Sequence, residues 1–169
     1  MPRRHIHSCP RTWVGAVALL LSSVGSTSAG AAPATGTASV TILRPVAARQ
    51  DASLSFGKIL PGKQTVVLTI DPDGTTHCSQ AESCSGSVSP AVFSLTGSPN
   101  ERVGVSMIDQ VTLLSVEGES LTVALTLGSS QLSLESGQGK IAVGGEITVP
   151  AGQAPGNYRG SFQINVEYQ

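Results

Sequence analysis

Few residues in this chain have both the type and the spacing for chemistry. The most suggestive group is HCSQAESC, where His77, Cys78, Glu82 and Cys84 fall within one short stretch. Cys78 and Cys84 are the only cysteines beyond Cys9, which lies in the amino-terminal segment. In an exported chain two cysteines separated by five residues point to a disulfide closing a small surface loop. Closing so short a loop removes little unfolded-state entropy, about 2 kcal/mol. A zinc site would need His77, Cys78, Cys84 and a fourth ligand such as Glu82, at a spacing that matches no structural zinc motif. Asp71 and Asp73 could contribute to a calcium site, yet the other ligands of a calcium loop are missing, and Asp71-Pro72-Asp73-Gly74 is itself a strong turn sequence.

Catalytic constellations are absent from the pattern. Gly137-Gln138-Gly139-Lys140-Ile141-Ala142 can be aligned with the dinucleotide pattern G-x-G-x-x-A, but nothing helical follows to present a dipole to a pyrophosphate, and a hairpin turn explains it. There is no G-x-S-x-G nucleophile elbow. A Ser-His-Asp site would have to use His77, and the scattered acids define no paired-carboxylate site. The expectation is a protein that is not an enzyme and carries no cofactor and no metal.

The elements that would position any site are strands. The chain has 169 residues, 12% charged and 4% aromatic, rich in Gly, Ser, Thr and Val and poor in helix-forming surface residues. Residues 1–31 read as a secretory signal: Arg3, Arg4 and Arg11 make a basic start, Trp13 to Leu21 the apolar centre, and cleavage falls after Ala31 or as late as Ala34. The apolar run is shorter than the roughly 20 residues a spanning helix needs, so no transmembrane anchor is expected after processing. Removing the three arginines leaves seven basic against eleven acidic residues, about −4. That balance gives no basic surface for nucleic acid.

Residues 32–169 are expected to form a single domain. Alternating segments recur with period two: Ala38 to Leu43, Ala52 to Phe56, Val66 to Ile70, Ala91 to Leu95, Val103 to Met107, Leu121 to Leu127 and Ile141 to Val149. Gly144-Gly145 permits a bulge or a close backbone approach. Turn sequences separate the segments, and no convincing helix follows the signal. The expected core joins Phe56, Val66, Leu68, Phe93, Val105, Val123, Leu125, Ile147, Phe162 and Ile164. The longest alternation is the last: in GNYRGSFQINVEYQ, residues Tyr158, Gly160, Phe162, Ile164, Val166 and Tyr168 share one side of an extended strand.

A glycine at 156, alternating apolar residues Phe162, Ile164 and Val166 and the penultimate Tyr168 resemble the end of pilus subunits of the bacterial chaperone/usher pathway. LSFGKILPG (54–62), DPDGT (71–75), FSLTG (93–97) and GGEITVPAGQAPGNYRGSFQINVEYQ (144–169) follow in an order that resembles bacterial domain-of-unknown-function family 4402, itself similar to pilus-subunit and spore-coat-like fimbrial families. The resemblance implies an all-β, immunoglobulin-like β-sandwich, either complete or lacking one strand that another chain donates. It also implies a structural or adhesive surface role, with transit through the periplasm and a periplasmic chaperone, an usher and self-association into a fibre as the partners to expect. Gly156, Phe162, Ile164, Val166 and Tyr168 would then form the strand-complementation and chaperone interface, and Ala38, Val40 and Ile42 the donor strand. The alternative is a self-complete secreted binding module.

Overall fold

The computed structural model describes Gly30 and residues 33–169. The expected signal segment lies almost wholly outside the described residues. Val40–Gln169 forms one compact unit, and the described residues before it, Gly30 and 33–39, have no regular structure.

Twelve strands follow in order: β1 (Ala47–Ala52), β2 (Ser55–Ile59), β3 (Val66–Ile70), β4 (Thr76–Cys78), β5 (Cys84–Ser89), β6 (Ala91–Thr96), β7 (Arg102–Met107), β8 (Gln110–Leu114), β9 (Ser120–Leu127), β10 (Gln131–Ser133), β11 (Gln138–Val149) and β12 (Ile164–Tyr168). A single 3₁₀ turn, Ala81–Ser83, is the only helical element among the described residues. The fold is all-β and sandwich-like, and all pairings between these strands are antiparallel.

The twelve-residue β11 organises the larger sheet. One of its edges pairs with β9, while the other is divided between β6 for Gln138 to Val143 and β3 for Gly145 to Val149. The break between those two partners falls at Gly144. A Cβ there would collide with the carbonyl of Ile70, so the Gly144-Gly145 pair serves close backbone approach. β1 extends the sheet beyond β6, β4 beyond β3, and β8 beyond β9. The second sheet is β10-β7-β12, and among the described residues β2 pairs only with β5 in a two-stranded ribbon.

Period-two alternation places the core. In β9, Leu121, Val123 and Leu125 are buried while the intervening Thr122, Ala124 and Thr126 are exposed. Val66, Leu68, Phe93, Val105 and Ile147 join them as the sequence pattern implies, whereas Phe56, Phe162 and Ile164 pack against the core only half-buried.

Three expected features are different in the structure. The alternation of Ala38 to Leu43 forms no strand; Val40 and Ile42 are 83% and 88% exposed, and the first strand is β1. The expected strand at Ala52 to Phe56 straddles the break between β1 and β2. The tail from Gly156 is not one strand either: Arg159 makes an isolated bridge with Leu114 of β8, and ladder pairing resumes only at Ile164, now with β7 of the other sheet. Alternation survives this change of partner because an extended backbone keeps its side-chain period with or without a neighbour.

Candidate functional site

The site is a groove of ≈ 860 Å³. One wall is β2 with the Ser53-Leu54 link that precedes it, and the other is the segment Gln153 to Phe162. The floor is apolar: Val111 and Leu113 from β8, Leu121 and Val123 from β9, Ile147 and Val149 from β11. Beyond Phe162 the second wall continues into β12, whose one edge pairs with β7 and whose other edge has no strand partner among the described residues.

The walls are held by different means. In β2 a register shift between Phe56 and Lys58 surrounds Gly57, whose φ of 65° is one that a side chain disfavours. A Cβ there would also strike the carbonyl of Ser85 at 2.5 Å. The opposite wall is pinned to β8 by paired backbone hydrogen bonds between Leu114 and Arg159, 2.8 and 2.9 Å. It is pinned again where Gly160 lies so close to Thr112 that an added Cβ would come within 2.6 Å of that carbonyl oxygen. Within it the Tyr158 hydroxyl donates to the carbonyl of Ala154 and accepts from the Gln153 side chain, both at 2.8 Å. Phe162 stacks edge-on against Phe93, with ring centroids 6.1 Å apart.

The structure divides the residues that the tail motif groups together. Gly156 and Phe162 line the groove; Ile164, Val166 and Tyr168 lie beyond it on β12, half-buried against the core. The physical reason is the crossing from β8 to β7, which ends the groove wall and starts a strand in the second sheet. Gly156 has ordinary room for a Cβ, its nearest neighbour being Ser115 at 3.6 Å, so the chain bend there does not require glycine. Ala38, Val40 and Ile42 are exposed and pair with nothing among the described residues.

Cys78 and Cys84 form a disulfide, with Cα atoms 6.5 Å apart. It does more than stiffen a surface loop. Cys78 ends β4 at the edge of the large sheet and Cys84 opens β5 of the ribbon, so the bond ties the β2–β5 groove wall to the main sheet, and both cysteines pack against the core. His77 is exposed and faces Thr69 across the β3–β4 ladder. No group of three His, Cys, Asp or Glu side chains gathers to hold a metal among the described residues. Asp73 serves the turn, accepting from the amide of Thr75 at 2.8 Å, and this bond holds its carboxyl below the usual carboxylate range. Gly137, at φ 79°, makes the turn into β11.

Residues to which the sequence reading gave no site role turn out to form much of the site: Leu54, Lys58, Val111, Leu113, Gln153 and Arg159. The alternation of Val111 and Leu113 with Gln110, Thr112 and Leu114 carried a strand signal; Lys58 and Arg159 carried none.

The sequence matches the profile of the domain of unknown function DUF4402 over residues 46–168. The chain belongs to this family. The match begins at Val46, just before β1, and ends with β12, so it takes in every strand and both walls of the groove. No curated protein matches the chain. Among the described residues no helix is long and apolar enough to cross a membrane.

Proposed function

We propose that this DUF4402 protein is an exported structural or adhesive surface protein, a fimbrial or pilus-type subunit assembled by β-strand complementation. The observation that carries the reading is the edge of β12 that has no strand partner among the described residues, continuous with an apolar-floored groove between the β2–β5 ribbon and the strandless segment Gln153 to Phe162. Unpaired backbone groups beside the half-buried Val111 and Leu113 are a liability that another chain normally covers, and an added strand satisfies both at once. A periplasmic chaperone would fill the groove first, and an usher-directed exchange would replace it with a subunit strand. Ala38, Val40 and Ile42 are exposed and have the alternation of a donor strand.

The second reading is a self-complete secreted binding module. Expression of the processed protein without a chaperone separates the two. The subunit reading expects aggregation or polymerisation and fast amide exchange along β12, with Ile164→Asp or Val166→Asp abolishing capture by a chaperone strand. A stable monomer whose β12 amides are all protected rejects it.

A further inference from the structure

The groove carries a charge pattern that distinguishes among strands. Of the residues that line it, Lys58 and Arg159 alone are charged, one on each wall, and no aspartate or glutamate is present. Both side chains are exposed, and neither has a hydrogen-bond or ion-pair partner among the described residues, where Arg49–Asp51 is the sole salt bridge. In a chain whose acids outnumber its bases beyond the signal, a groove with two unmatched cations and no acid is a selective environment.

We infer that the strand this groove accepts is an acidic one from a different protein: an extended peptide with apolar side chains at alternate positions and at least one carboxylate on the intervening face, placed between Lys58 and Arg159. This rests on the strand-complementation reading above and adds the partner's chemistry. The apolar side chains of such a strand point to the floor, where Val111 and Leu113 are half-buried, while the alternate face is turned toward the exposed Lys58 and Arg159. Opposite charges across a rim steer encounter and set partner choice more than they raise affinity. The chain's own exposed segment fails this requirement. Residues 36–45, GTASVTILRP, have the alternation but no acid, and their one charge, Arg44, is of the same sign as the groove.

The test uses purified protein and two synthetic peptides, one of residues 36–45 as they stand and one with Thr41→Glu, which leaves Val40 and Ile42 in place. The Thr41→Glu peptide is expected to bind about two- to fivefold more tightly at low ionic strength, a preference that fades at high salt. The double variant Lys58→Gln with Arg159→Gln should abolish the preference for the acidic peptide over the unsubstituted one; both positions are exposed, so folding is not at stake. Equal or weaker binding of the acidic peptide overturns the inference while sparing strand complementation. If neither peptide binds, the strand-complementation reading fails, and the inference with it. A preference that persists in the double variant also overturns it.

Discussion

The hydroxyl of Tyr168 donates to the carbonyl oxygen of Arg44 at 2.7 Å, joining the last strand to the residue that precedes Pro45 and β1. The same hydroxyl accepts from the amide of Ser98 at 2.7 Å, and the Ser98 hydroxyl in turn accepts from the amide of Arg44 at 2.7 Å. Three residues thus close a ring between the start of β1, the β6–β7 turn and the end of β12. A Cβ on Gly97 would collide with the Tyr168 hydroxyl, which is why a glycine stands beside it. Tyr168→Phe keeps the aromatic side chain but opens the hydrogen-bonded ring, leaving the amide of buried Ser98 without its acceptor, and is expected to cost about 1–3 kcal/mol. Urea denaturation measures it; an unchanged midpoint would mean that the clasp contributes nothing to stability.

The two phenylalanines that meet edge-on should differ in cost. Phe93 is 8% exposed, so Phe93→Ala should lose about 3–5 kcal/mol. Phe162 is only half-buried and lines the groove, so Phe162→Ala should cost less, about 1–3 kcal/mol, since less apolar surface returns to water. Thermal or chemical melts of the two variants check the order, and a larger loss at Phe162 would contradict it.

Replacing both cysteines by serine should act on the groove wall. The entropic loss for so short a loop is about 2 kcal/mol. The more specific expectation is local: amides of β2 and β5 should exchange faster, while those of β9 and β11 keep their protection, because the ribbon has no ladder to any other strand. Uniform loss of protection across all strands would show that the bond supports the whole domain instead.

Asp51 gives a pH signature. The Ser94 hydroxyl and then the Arg49 guanidinium, 2.8 Å away, hold its carboxyl below the ordinary 3.8, against the opposing effect of desolvation. A depressed folded value means the contribution is fully present above 3.8 and is lost as pH falls through the folded value. The Ser94→Ala variant should therefore melt below the parent at neutral pH, with the gap narrowing under acid conditions. A gap that widens toward low pH would reverse the sign.

Most of the strand inventory was legible because burial on one face writes period two into the sequence. Val66 to Ile70, Ala91 to Leu95, Val103 to Met107, Leu121 to Leu127 and Ile141 to Val149 all lie within strands. The disulfide was legible for a different reason: two cysteines expected to meet an oxidising compartment have few alternatives. The same period misled at Ala38 to Leu43, where the alternation meets no partner strand. Strands such as β4 and β10, three residues each, are too short to write a period at all.

Residue pattern alone determined the all-β class, the inward set of β9 and the alternating sides of the tail, because each depends only on which neighbours along the chain share a face. Tertiary structure alone decided that β11 splits one edge between β6 and β3, that the tail leaves β8 for β7 after Arg159, and that Lys58 and Arg159 face one groove. Those relationships join residues far apart in sequence, so no local periodicity encodes them. They are selected by which edges remain unpaired once the core has closed.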